Sequence, residues 1–165
     1  MEIFVFRDID IVTIARVLLA FVLGGVVGFE RQRVQRPAGL RTHMLVCAGA
    51  ACFTVASIYG FDSFGTNRDP ARLAAQIITG IGFLGAGTIF RTGSTVRGLT
   101  TASSIWITAS IGIVAGLGMF WLAVFTTLLT WFALYVLKTA ELRRNSPIRK
   151  SGEPSITGRP DDDLD

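Results

Sequence analysis

Charge is almost absent from five long apolar stretches of this sequence. Of its 16 basic and 12 acidic residues, only Arg16 falls well inside one of them, and Arg72 falls near an end. A charge at the centre of a bilayer costs about 3 kcal/mol on insertion scales. Backbone at that depth must bond to itself. The pattern therefore restricts the chain to helices embedded in a membrane. Charged residues are 17 % of the whole, against about 25 % in soluble domains, and mean hydropathy is +0.52. The isoelectric point near 9.7 then reflects arginines in short loops, which orient a membrane protein. No aromatic–basic RNA motif is present, so no nucleic-acid partner is expected.

The expected fold is an all-α integral membrane domain over residues 1–137. Its helices cover Ile9–Phe29, Thr42–Tyr59, Pro70–Phe90, Leu99–Ala115 and Met119–Leu137, each near the length of a crossing. Pro37 and Gly39, the stretch Gly60–Asp69, Gly93, and Gly116-Leu117-Gly118 break them. Asp69-Pro70 reads as an N-cap followed by proline at the first helical position. Arg31, Arg33, Arg36, Arg41, Arg91, Arg97 and the basic residues from Lys138 to Lys150 fall on one side. Arg7, Arg68 and Arg72 fall on the other. That imbalance places the N-terminus outside and the C-terminus in the cytoplasm. The fifth helix lacks glycine and carries Trp121, Trp131, Phe132 and Tyr135, so it is expected to be peripheral and lipid-facing. Residues 138–165 read as a polar cytoplasmic tail without fixed structure. The N-terminus carries Glu2, Asp8 and Asp10 without a basic leader, unlike a cleaved signal peptide.

Pro70–Arg91 is expected to organise the bundle. Gly80, Gly82, Gly85 and Gly87, like Gly24 and Gly28 in the first helix, read as notches for close helix packing. Gly80–Gly85 also matches GxGxxG. It lacks the preceding strand and following acid of a dinucleotide site, so packing is the better reading. The first and third helices align through Ala15-Arg16-Val17 and Ala71-Arg72-Leu73. The second and fourth align through Gly39-Leu40-Arg41-Thr42 and Gly98-Leu99-Thr100-Thr101. A parallel two-helix repeat is expected from these matches, with chance likeness of two glycine-rich hairpins as the alternative.

Chemistry concentrates in two places. Near the outer face, Arg72 is expected to meet Asp69 locally, while Arg16 turns inward to Gln76 or to backbone carbonyls. Alternatively both arginines snorkel outward and set helix depth. At the inner face Glu30, Arg31, Arg41, Thr42, His43, Arg97, Thr100 and Thr101 converge if the repeat holds. Helix N-termini and arginines there suit an anion or headgroup. The plainer reading is orienting arginines with hydroxyl caps. His43 and Cys47 share a helix face, but no third ligand is evident, so packing and a hydrogen-bonded imidazole are expected and no metal. Cys47 and Cys52 lie too far apart along a helix for a disulfide. Thr100, Thr101, Ser104 and Thr108 either line a polar path or bond back to their own helix carbonyls or across to a neighbour. No acid lies inside a span, which weighs against a dedicated magnesium site. No Walker motif, nucleophile–base pair or zinc-hydrolase motif occurs, so neither an enzyme nor a cofactor is expected.

Glu30-Arg31-Gln32, Ala38-Gly39-Leu40-Arg41-Thr42-His43, the run Ala75 to Gly87, and Arg97-Gly98-Leu99-Thr100-Thr101-Ala102 together resemble the MgtC/SapB family of bacterial inner-membrane proteins. Glu30, Arg41 and Gln76 fall in these stretches, and with Cys47 and Asp69 they are the residues that the resemblance marks for testing first. The resemblance implies a domain of about five helices in the plasma membrane. It also implies a role in adaptation to low magnesium and survival inside macrophages, through restraint of the F-type ATP synthase. Family members of the MgtC type carry an ACT-like domain after the membrane part. The polar tail here is more similar to the short SapB-type members. Two functions remain open. One is a non-enzymatic regulator, expected to be a homodimer, that binds membrane proteins through glycine-notched faces. The other is a transporter or channel for a small ion, Mg²⁺ or an anion, through the repeat interface.

Overall fold

The computed structural model describes residues 2–60, 69 and 71–144. Among these residues are five helices: α1 (Glu2–Arg33), α2 (Leu40–Tyr59), α3 (Ala71–Ala86), α4 (Leu99–Gly116) and α5 (Phe120–Arg144). A hairpin of β1 (Phe90–Thr92) and β2 (Thr95–Arg97) joins α3 to α4. α1, α2 and α4 contain stretches long and apolar enough to cross a membrane, and Ala74–Ala86 and Phe120–Val136 are shorter apolar segments. α5 runs on to Arg144, beyond the expected boundary at 137. The expected disorder of the tail from Asn145 onward, and the stretch 61–68 with Pro70, lie outside the described residues.

Local chemistry explains the helix ends. α1 closes in a Schellman motif, with Gln35 N–H donating to Gln32 O and Arg36 N–H to Arg31 O. Gln35 takes the left-handed conformation there, at φ 53°, and Pro37 prevents continuation. Gly39 caps α2 without a side chain of its own. Gln32 supplies one, its Oε1 accepting the Leu40 N–H at 3.3 Å. Asp69 caps α3 as expected, Oδ1 accepting the Ala71 N–H at 2.9 Å. α4 ends in a second Schellman motif, with Gly118 at φ 83° and the Met119 N–H on Val114 O.

The expectation of a purely α fold fails at the hairpin. α3 stops at Ala86, well short of Phe90. Thr88 Oγ1 donates to Gly85 O, and Thr88 N–H returns to the same carbonyl, which turns the chain out of the helix. Thr92 and Thr95 then pair across Gly93-Ser94. Among the two loop residues only Gly93 has a positive φ, 62°, the pattern of a type II′ turn.

The bundle is organised around α2, not around Pro70–Arg91. A Cβ added at Gly24 would lie 2.6 Å from both His43 O and Cys47 Cβ, and one at Gly28 would lie 2.8 Å from Leu40 Cα. From α4, a Cβ at Gly112 would collide with Cys47 O, and one at Gly116 would lie 2.8 Å from Ala51 O. Both pairs have GxxxG spacing, which lets backbones approach closely in lipid. Going up α1 runs down α2, so those helices are antiparallel. Cys47 and Ala51 advance with Gly112 and Gly116, so α2 and α4 are parallel. Ala20, Leu23, Val27, Cys47, Ala51, Ile111, Ala115 and Ala123 form the core at this junction. α5 docks through Ala123 and Thr127, both buried, and leaves Trp121 89 % exposed, as a peripheral helix would.

α3 is the loosely held element. Ile81 packs with Ala50, Ile105 and Ala109, but Phe83 is 82 % exposed. Among the described residues nothing lies within 4 Å of a Cβ at Gly80 or Gly82, and Gly87 meets only its own helix carbonyls. Gly85 is the exception, at 3.6 Å from Ala102 Cβ. The expected notches of α3 are therefore largely unfilled by the described residues.

Candidate functional site

At the end formed by the C-terminus of α1 and the N-termini of α2 and α4, polar groups are buried. Arg31 Nε and Nη2 both donate to Glu30 Oε2 at 2.6 Å. Glu30 is 5 % and Arg31 2 % exposed. This is the one ion pair among the described residues. Beside it His43 is fully buried, with Nδ1 2.8 Å from Gly39 O and Nε2 3.1 Å from Ser104 Oγ. A carbonyl only accepts, so Nδ1 carries a proton. Ser104 also donates to Thr101 O at 2.8 Å. The expected convergence is thus met by Glu30, Arg31, His43 and Thr101. Arg41, Thr42, Arg97 and Thr100 are exposed instead. Cys47 is buried under Gly24.

Near the opposite end, Arg16 lies inward. Its Nη1 donates to Tyr59 Oη at 3.2 Å and to Gly116 O at 3.1 Å, and its guanidinium lies over the Tyr59 ring. Gly116 O belongs to the last turn of α4, where carbonyls lack helical partners and the dipole is negative. Arg16 therefore caps α4 and ties α1 to the C-terminal ends of α2 and α4. The expected carbonyl partner is present and the Gln76 partner is not: Gln76 is exposed on α3. Arg72 and Asp69 meet only through the backbone, Arg72 N–H donating to Asp69 O at 3.2 Å. Both side chains are exposed.

Four buried hydroxyls are turned back on their own helices: Thr108 donates to Ser104 O, Thr54 to Ala50 O, Thr127 to Ala123 O and Thr130 to Thr126 O. Ser104 Oγ also reaches across to His43.

What remains open is a groove of about 500 Å³ on the outer surface between α2 and α3. Leu45, Gly49 and Phe53 form one wall, Ile77, Gly80 and Leu84 the other, with Gln76 the one amide among them. Gly49, like Gly80, has nothing within 4 Å of a Cβ position. Gly49, Tyr59 and the Gly112–Gly116 pair were not singled out from sequence as packing or site residues. The four-residue spacing of Gly112 and Gly116 is the signal that identifies them. Tyr59 carries no such signal, since its role depends on Arg16 arriving from another helix.

Small residues between close helices, an apolar exterior and charge confined to the ends define a helical membrane protein. The model of the MgtC family matches residues 17–143, and the chain belongs to that family. Protein MgtC of Salmonella typhimurium (strain LT2) is 47% identical over 142 residues, 85% of this chain and 59% of that protein. Protein MgtC of Brucella abortus (strain 2308) is 54% identical over 101 residues, 61% of this chain and 40% of that protein. YhiD of Escherichia coli (strain K12), provisionally named a magnesium transporter, is 43% identical over 136 residues, 79% of this chain and 62% of that protein. The chain thus spans about 60 % of the length of the Salmonella and Escherichia relatives. No solved structure gives a significant match.

Proposed function

We propose that this chain is a multi-pass protein of the bacterial inner membrane that regulates other membrane proteins by lateral helix contact and catalyses no reaction. Its five helices cross with the N-terminus outside, and α1–α2 and α3–α4 form a parallel repeat. The regulated process is adaptation to limiting magnesium, in keeping with the name of the YhiD relative and with the family resemblance. The same resemblance offers the F-type ATP synthase as partner and virulence as context, and the open glycine face suits a homodimer equally. One observation carries the reading: the groove of α2 and α3 presents Gly49 and Gly80 to the outside with none of the described residues against them. A gap between small residues is where a second membrane helix gains close van der Waals contact.

Ion transport is the competing reading, favoured by the buried Glu30–Arg31 and His43–Ser104 groups. Their partners are within the chain, and the buried hydroxyls of Thr54, Thr108, Thr127 and Thr130 are turned back on their own helices, so the regulator is preferred. Leucine at Gly49 and Gly80 separates the two. Both positions are open, so the Gly49→Leu/Gly80→Leu chain is expected to insert at the wild-type level yet fail to restore growth of a deletion strain at low magnesium. Full restoration, or saturable ion flux into liposomes holding the purified protein alone, would overturn the reading.

A further inference from the structure

The β1–β2 hairpin belongs neither to the helix core nor to the groove. All six strand residues are exposed. In its register Phe90 faces Arg97 and Arg91 faces Val96, so each face of the ribbon carries one arginine beside one apolar side chain. Phe90 is 50 % and Val96 47 % exposed. The base is held firmly. Gly98, at φ 91°, sits so close to Thr88 that a Cβ would collide with the Thr88 carbonyl. The tip is held by Arg91 Nε donating to Gly93 O at 2.8 Å.

The surroundings are of one sign. The N-terminus of α4 lies beside that of α2, through His43 and Ser104, so the hairpin shares its end of the bundle with Arg33, Arg36 and Arg41, all exposed. Among the described side chains there, the one acid is Glu30, which is buried and bonded to Arg31. Exposed arginines with no exposed acid suit phosphate. Phenylalanine and valine alternating with them suit the boundary between headgroups and acyl chains. A site for free phosphate in water would have no use for those apolar side chains.

We propose that this hairpin lies in the headgroup layer and holds anionic phospholipid, with Arg91 and Arg97 on the phosphates and Phe90 and Val96 at the acyl boundary. The inference rests on the reading of α3 and α4 as membrane-embedded. It fixes what that end of the protein recognises, which the helix-contact function leaves open.

The test uses the full chain in phosphatidylcholine vesicles containing phosphatidylglycerol. A fluorophore is placed at the hairpin tip through Ser94→Cys, with Cys52→Ser removing the exposed native thiol. Quenching is compared between phosphatidylglycerol and phosphatidylcholine bearing the same nitroxide. The anionic lipid is expected to quench about 25-fold more, about fivefold for each of the two arginines. That preference should fall to about fivefold in either single glutamine variant and vanish in Arg91→Gln/Arg97→Gln. Equal quenching by the two lipids, or a preference unchanged in the double variant, would overturn the proposal. A fluorophore on native Cys52, exposed on α2, tells the two readings apart. If it is quenched while the tip shows no anionic preference, the hairpin proposal alone fails. If neither position is quenched, the membrane-embedded reading fails with it.

Discussion

Alanine at Gly112 is expected to destabilise the protein by about 3 kcal/mol. The added methyl would collide with Cys47 O and lie 2.9 Å from Ala50 Cβ. Neither neighbour is the free end of a long side chain. Cys47 O is α2 backbone already held by the helix, and Ala50 is 3 % exposed. The strain is relieved only by moving α4 off α2, and separation loses the contacts along Gly116, Ala51 and Thr54 as well. Alanine favours a helix over glycine by about 1 kcal/mol, which does not offset this. Gly49→Ala and Gly80→Ala are the controls. Both meet open space, and both should leave stability within about 1 kcal/mol of wild type. Alkylation of Cys47 during thermal unfolding in detergent, with Cys52 replaced by serine, reads the difference. Cys47 is 0 % exposed, so its thiol becomes reactive only as the helices part. Equal midpoints for Gly112→Ala and Gly80→Ala would contradict the helix arrangement.

Removing one member of the Glu30–Arg31 pair is the second large effect. Glu30→Ala leaves the Arg31 guanidinium buried with no counter-charge, at a cost of about 3–5 kcal/mol. The double change Glu30→Met/Arg31→Met removes both charges and keeps apolar volume, so most of the loss should be recovered. The signature is this non-additivity, with the double variant more stable than Glu30→Ala, measured by the same Cys47 protection. A double variant as unstable as the two single losses combined would mean that the groups do not act as a pair.

Helix placement was legible because apolar runs and their breakers act locally. The start of α4 at Leu99 and the end of α2 at Tyr59 fall where the runs predict. The place of each helix in the bundle was harder, since glycine content does not say which glycine meets a backbone. Spacing carried more. Gly24 and Gly28, and Gly112 and Gly116, lie four apart and so share a face. Gly80, Gly82, Gly85 and Gly87 fall on two opposite faces and contain no such pair, and they are mostly left open. The hairpin was written in a short alternation around Gly93-Ser94, masked by the apolar run before it. At the polar end, Glu30, His43 and Thr101 are buried where the sequence places them together. Which hydroxyl met the imidazole depended on helix rotation, and Ser104 took that role. Arg16 was evident as a buried cation, but its partner carbonyl at Gly116 lies 100 residues away in sequence, beyond any local signal.

In the proposed function, one set of glycines is closed within the chain and the α2–α3 groove receives another membrane helix. Photo-crosslinking in native membranes tests it most directly, with benzoylphenylalanine at position 49 in the groove and at position 18, which is 59 % exposed on α1. Position 49 is expected to capture a subunit of the F-type ATP synthase or a second copy of the chain, and position 18 lipid only. Lipid adducts alone at both positions would contradict the account.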